Sequence, residues 1–379
     1  MNIISIEPTP SPNTMKINVS EELPAGQNRN YTKDDKDTAP DIIKQLLEIV
    51  GVKSLYHVMD FIALERNPKV DWEEILPKAR EAFGEVPAEE VPQQEKSNNE
   101  EEAFGEINVK IQMFRGIPMQ VKLHDGEEEL RFGLPDRFMN AAMESSPASS
   151  NLVMERQWIE QSPRYGTMEE VGENVVEEVS AAYDQERLSN LVNEALNGEG
   201  PSEKEAKKER KKVTEEMLDD PDWKNRYAAL DRMDPSEEDI PVLAKALDDE
   251  KPSIRRLATV YFGMIEDPIV LPYLYKALTD KTITVRRTAG DCLSDLGFKQ
   301  AIPAMIKALK DKNKLVRWRA AMFLYEVGDE SAVPALKEAQ DDPEFEVKMQ
   351  VKMALERIEG GEEAKGSVWH QMTQARKNT

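Results

Sequence analysis

The chain has 379 residues, enough for two or three domains of ordinary size, and a balance of 39% hydrophobic to 32% charged residues supports packed cores beneath an extensive polar surface. Its 73 acidic residues against 50 basic ones give a net charge of −23, which disfavours general attraction to a nucleic-acid backbone. One cysteine, Cys292, excludes an internal disulfide, and three histidines without a CxxC or HExxH exclude the usual zinc signatures. The opening MNIISIEPTPSPN lacks the basic patch and apolar run of a secretory signal, and no later stretch reaches bilayer length. The expected setting is the cytoplasm, away from membranes.

Residues 1–84 read as a small α+β domain. Ile3, Ile4 and Ile6 begin a strand that the proline-rich turn at 8–12 ends, and Met15, Ile17 and Val19 alternate with polar neighbours as a half-buried strand does. The polar stretch 21–37 reads as a loop. Ile42, Ile43, Leu46, Leu47 and Val50 have helical spacing over 40–50, ended by Gly51, and 52–56 with 61–64 read as a hairpin turning near 58–60. Asp71 is placed to cap a second helix, with Glu74 at the capping-box position and Trp72, Ile75, Leu76, Ala79, Ala82 and Phe83 as its apolar face. Pro77 lies inside that pattern, so either a kink or a later start is expected.

The runs TPSPNTMKI at 9–17, GVKSLYHVMDFIALERN at 51–67 and DWEEILP at 71–77 resemble, in order, the N-terminal domain of the Nfu/NifU iron–sulfur scaffold proteins. The resemblance implies that cluster-holding cysteines belong to a following domain with a CxxC. None follows here, so no resident cluster and no cofactor is expected. Residues 85–102, EVPAEEVPQQEKSNNEEE, read as an acidic flexible linker, with an acidic docking peptide as the alternative.

A second α+β region spans 103–197, with strands at 107–113, 119–123 and 151–159 and helices at 135–143 and 168–182. GIPMQVKL at 116–123 echoes SPNTMKIN at 11–18, which leaves two readings: a degenerate second Nfu-like copy or an unrelated domain. The acidic run after His124 reads as a surface turn. Arg156, Trp158 and Arg164 are an anion-binding set only if the fold makes them converge.

A 31-residue period then dominates. Pro241, Pro272, Pro303 and Pro334 recur at it, as do Ala246, Ala277, Ala308 and Ala339, the turn residues Asp249, Asp280, Asp311 and Asp342, and the aliphatics Ile254, Val285, Val316 and Val347. The pattern predicts paired helices, proline opening the first and an acidic turn ending it, stacked over 200–362 as an all-α superhelical array. The units resemble HEAT-like repeats of the short kind found in phycobilin-lyase-type proteins. Residues 217–233 read as a shortened unit before the regular four, with Trp223, Tyr227 and Leu230 closing the array against the middle domain. The basic run 207–212 is flanked by glutamates and reads as a solvated helical face.

Two roles are open to the periodic arginines. Arg255, Arg286 and Arg317 recur with Asp249, Asp280 and Asp311 and are assigned to a structural ladder of charge-assisted bonds. Arg256, Arg287, Trp318 and Arg319 are the candidate face for an acidic protein partner. Over 241–362 the chain holds 19 basic and 20 acidic residues, so the array carries almost none of the net charge. Cys292 shares its register with Tyr261, Phe323 and Ala354 and reads as a buried thiol. Residues 363–379 form a polar tail in which Val368, Trp369 and Met372 make a small amphipathic island, read either as packing on the last repeat or as a short ligand.

This order of domains, and the length, resemble the conserved virulence factor C family of low-GC Gram-positive bacteria. The resemblance implies an indirect link to production of secreted toxins such as haemolysins, and it brings no catalytic residue. The function expected is a non-enzymatic adaptor or regulatory protein. The alternatives are an accessory of iron–sulfur assembly that docks scaffold or client proteins without holding a cluster, and a small-molecule-binding enzyme. A protein partner is expected, an iron–sulfur assembly protein among the candidates.

Overall fold

The computed structural model describes residues 1–85, 107–197 and 212–361, less Pro10, Ala25, Gly26, Asp37, Glu127 and Ser150. The acidic linker beyond Glu85, the basic run before Lys212 and the C-terminal tail lie outside the described residues. The chain divides into two compact units, one of Met1–Asn108 with Leu123–Leu130 and Ser162–Met168, the other of Val109–Lys122, Arg131–Gln161 and the chain from Glu169 on.

The N-terminal domain is built from β1 (Ile3–Pro8), β2 (Thr14–Val19), β3 (Asn28–Thr32), α1 (Asp41–Glu48), β4 (Val52–Val58), β5 (Phe61–Arg66) and α2 (Trp72–Ala82). Its sheet runs β1-β2-β5-β4-β3 with every neighbour antiparallel. Alternation sets the register: Met15 faces Leu64 and Ile17 faces Ile62, all buried. Against this apolar face lie Ile43, Leu46 and Leu47 of α1, and Trp72, Ile75 and Ala79 of α2. Gly51 joins α1 to β4 at φ +94, and a Cβ there would meet Val70 Cγ1 at 2.5 Å.

Three expectations for this domain change. The 21–37 stretch contains β3, an edge strand whose single buried side chain, Tyr31, leaves no alternation to read. Asp71 occupies the N-cap position, but its carbonyl, not its carboxylate, accepts from Glu74 N at 3.0 Å. Pro77 sits inside α2 on its exposed side. Burial of Trp72, Ile75 and Ala79 on the other side outweighs the lost backbone bond.

The middle region comprises β6 (Ile107–Phe114), β7 (Ile117–His124), β8 (Glu129–Gly133), α3 (Asp136–Glu144), α4 (Leu152–Glu155), β9 (Gln157–Arg164), α5 (Met168–Ala182) and α6 (Gln185–Leu196), with sheet order β8-β7-β6-β9. The first strand of the first sheet is an edge strand, whereas β6 lies between β7 and β9, so the two sheets do not share one order. The expected strand over 151–159 is instead a short helix followed by β9. Asn151 caps that helix by accepting from Met154 N at 3.3 Å.

The C-terminal region is all-α. After α7 (Trp223–Asp231) come four helix pairs: α8 (Ile240–Ala246) and α9 (Pro252–Met264), α10 (Leu271–Ala277) and α11 (Ile283–Leu296), α12 (Ile302–Ala308) and α13 (Lys314–Val327), α14 (Val333–Glu338) and α15 (Phe345–Glu359). The periodic prolines are the second residues of α8, α10, α12 and α14, where no helical N–H is lost. The longer second helices pack on one another in sequence, α9 on α11, α11 on α13 and α13 on α15, and Ile254, Val285, Val316 and Val347 are all fully or nearly fully buried between the layers.

Candidate functional site

The turn between the two helices of each unit presents an aspartate, and the second helix of each of the first three units presents an arginine near its start, where the fourth has Lys348. The partners are not those of one turn. Arg255 forks onto Asp280 of the following unit (Nε 2.7 Å, Nη2 3.0 Å) while its Nη1 donates to the carbonyl of Asp249 in its own turn at 2.8 Å. Arg286 does the same with Asp311 and the Asp280 carbonyl, and Arg317 with Asp342 and the Asp311 carbonyl. Asp249 is gripped from upstream by Arg226 of α7 at 2.7 and 2.9 Å. Each carboxylate also accepts a backbone N–H two residues on, from Lys251, Thr282, Asn313 and Glu344 in turn. Burial pushes the Asp280 carboxyl up, but the Arg255 fork and the Thr282 N–H outweigh it and hold it below the ordinary aspartate range. The Asp249 carboxylate likewise raises the Arg226 guanidinium.

The second arginine row is enclosed. Arg256 pairs with Glu178 of α5 at 3.2 Å. Arg287 reaches Asp291 at 3.2 Å and the Leu315 carbonyl at 3.1 Å, and its guanidinium lies 5.1 Å from the Trp318 ring. Arg319 meets the same Asp291 at 2.7 Å, and its guanidinium lies 5.2 Å from the Trp318 ring. Arg287, Trp318 and Arg319 are all buried. This corrects the expectation of an open basic face: the charges of Arg256, Arg287 and Arg319 are met by Glu178 and Asp291 of the same chain, and Trp318 is 2% exposed.

Arg226 and Glu178 are functional-site neighbours that sequence reading missed. Arg226 grips its aspartate across 23 residues where the regular units use 25, so it falls outside the 31-residue register. Glu178 lies on α5 and carries no periodic signal. Further bonds tie α5 and α6 to the start of the array: Lys251 to Glu177 at 2.7 Å and Arg187 to Asp231 at 3.0 Å. Trp223 and Tyr227 meet edge to face, with Lys251 4.2 Å from the Trp223 ring, and Tyr261 donates to the Leu230 carbonyl at 2.8 Å.

Cys292 is buried, its thiol aimed at the Thr259 carbonyl at 3.5 Å and packed against Gly263, where a Cβ would lie 2.5 Å from Sγ. Burial, and then Asp291 and Asp295, push the thiol pKa far up, so it is a protonated packing group. A resident iron–sulfur cluster needs accessible thiolates, and this residue does not fit one. The His124 turn is held by Gly126 N donating to His124 Nδ1 at 2.8 Å, and the Trp158 ring is met by Lys122 at 4.6 Å and Arg131 at 5.9 Å. Among the described residues no three or more His, Cys, Asp and Glu side chains gather as a metal site, and no helix is long and apolar enough to cross a membrane.

A small α+β domain and a ladder-linked helical array on one chain define a multidomain protein with a helical-repeat region. The scaffold protein Nfu/NifU N-terminal family matches residues 4–90, the virulence factor family 112–192, and HEAT repeats 211–289 and 271–356. The chain is 64% identical over 377 residues to uncharacterized protein YpgR of Bacillus subtilis (strain 168), covering 100% of this chain and 99% of the relative. It is 50% identical over 382 residues to conserved virulence factor C of Staphylococcus aureus (strain MW2), covering 98% and 99%. The crystal structure of protein SAV1430 from Staphylococcus aureus is 46% identical over 22% of this chain and 99% of that one, with a TM-score of 0.21. The chain belongs to the conserved virulence factor C family.

Proposed function

We propose that the protein is a non-enzymatic cytoplasmic adaptor that holds an iron–sulfur assembly protein or its client on the Nfu-like domain and a second protein on the helical array. The observation that carries this reading is the Nfu/NifU N-terminal match at 4–90 on a chain whose one cysteine is buried. Such a domain retains a docking surface without cluster ligands, and stacked helical units extend the surface available to a partner. An effect on toxin production then follows indirectly, through delivery of a client.

Titration calorimetry of the full chain against a purified iron–sulfur scaffold, apo and cluster-loaded, tests it. A saturable complex with no iron passing to this chain is the expected result. Absence of binding to either form overturns the iron–sulfur part. Iron and sulfide retained stoichiometrically on the monomer overturn the adaptor reading itself.

A further inference from the structure

The sheet of the middle region has one side covered by helices and one long edge without a neighbour. Phe132 of β8 packs so closely on Gly172 of α5 that a Cβ there would strike its ring, which puts the helices on that side. Val109 of β6 and Val121 of β7 are fully buried, and alternation turns Lys110, Lys122 and Arg131 to the opposite side. Trp158 of β9 lies there too. Its ring reaches past β6 to Lys122 at 4.6 Å and Arg131 at 5.9 Å. Arg156, extended and two residues before Trp158, shares that side. It has no ion pair among the described residues, and its Nε is buried without a hydrogen-bond partner. Glu129 and Glu160 are the carboxylates beside these four cations. The strand itself pairs with β6 alone, so its outer edge meets no strand among the described residues. Sheet edges are commonly guarded by lysine or proline. Here the one proline, Pro163, stands near the far end of β9, and over 157–161 the one charge is Glu160. Ile159, on the other side of the strand, is 45% exposed.

We propose that the outer edge of β9 receives an extended acidic segment of a partner protein, which adds a fifth strand to this sheet. Main-chain pairing with the edge supplies the common part of the affinity. The period of two then sorts the side chains of the added strand, sending carboxylates toward Arg156 and the cations at Trp158 and aliphatic groups toward Ile159. Trp158 has a part in this: its ring holds Lys122 and Arg131 against the sheet, where an acid can meet them already placed. Glu160 limits the motif. The residue opposite it has to be neutral, so the segment carries acids at two alternate positions and not in a long run. Charge argues for a peptide over a nucleic acid. Four cations interrupted by two carboxylates, on a chain of net charge −23, make no continuous track for phosphates, and a nucleic acid has no backbone ladder to offer a strand edge. The surface belongs to neither the Nfu-like domain nor the helical array, so it adds a third contact to the adaptor reading.

The test is fluorescence anisotropy of a short labelled peptide, two glutamates alternating with valines between terminal serines, titrated with the full chain. Saturable binding is expected, weakened by added salt and about tenfold by Arg156→Gln or Trp158→Ala at an unchanged melting temperature. A peptide of the same composition with glutamates and valines in separate blocks is expected to bind at least about tenfold more weakly. Methylating alternate backbone nitrogens of the peptide reads the pairing without touching the protein: one alternate set is expected to abolish binding and the other to spare it. The proposal is overturned if the full chain shows no saturable binding, as when a segment of its own already holds the edge. Equal binding of the block peptide, or tolerance of both methylated sets, overturns it too. Single-stranded DNA of equal charge binding as tightly assigns the face to nucleic acid and has the same effect. A chain that binds a scaffold protein but not the peptide loses the strand edge alone, whereas peptide binding without any scaffold complex sinks the adaptor reading alone.

Discussion

Arg286 grips Asp311 from 25 residues upstream through Nε at 2.8 Å and Nη2 at 3.0 Å, and its remaining nitrogen holds the Asp280 carbonyl at 3.0 Å. One side chain therefore ties its own turn to the next. The planar fork suits both tasks at once, which an ammonium on a flexible stem does not.

Arg286→Ala is expected to lower the unfolding free energy of the array by about 3 kcal/mol, because it strands a largely buried carboxylate at Asp311. Arg286→Lys recovers only part of that loss. Urea unfolding followed by circular dichroism at 222 nm measures both, and a loss no larger than that of a surface substitution contradicts the ladder.

Acid offers a second handle. Asp280 has a folded pKa below its ordinary value of 3.8, so its unfolded form binds protons first as pH falls. Its contribution is whole above that ordinary value and is lost as pH drops through the depressed one. Stability followed from neutral pH to below 3.8 is expected to fall less steeply in Asp280→Asn than in the parent, from a lower starting point.

Cys292 tests packing against reactivity. A thiol reagent is expected to modify the native protein only at the rate at which the array opens, and at once in denaturant. Gly263→Ala places a Cβ against Sγ and is expected to destabilise by about 1–3 kcal/mol. Rapid labelling of native protein contradicts the enclosed thiol.

The β4–β5 hairpin turns through Met59 and Asp60, with Met59 at φ 50 and 53% exposed. A methionine in the left-handed region is strained where glycine is not. Met59→Gly is therefore expected to raise domain stability by about 0.5–1 kcal/mol, read as a shift in the urea midpoint.

The parts that were legible in the sequence were those written as periods. Alternation at Met15, Ile17 and Val19 marks β2, and the 31-residue recurrence of Pro241 and its equivalents marks every first helix of the array. Elements that bury little escape: β3 hides only Tyr31, and β8 hides none of its side chains fully. The ladder residues repeat visibly, but their partners do not follow from spacing, since Asp280 stands both 25 residues after Arg255 and six before Arg286. Only the fold shows that the first offset takes the carboxylate and the second the carbonyl. Burial of Trp318 and its arginines is likewise a property of neighbours remote in sequence, Asp291 and Glu178 among them.

The forward reach of each arginine also makes the array divisible only in whole units. Removing 31 residues, or a multiple of 31, between equivalent positions keeps the 25-residue offset from arginine to aspartate, whereas a cut of another length within the ladder breaks it. The ends do not share that freedom. The upstream end is set by Arg226, spaced to reach Asp249 from an irregular helix, and the downstream end by Lys348, which stands where an arginine would need a further turn beyond the described residues. Length is thus adjustable in the interior of this molecule, in quanta of one helix pair, and fixed at both boundaries.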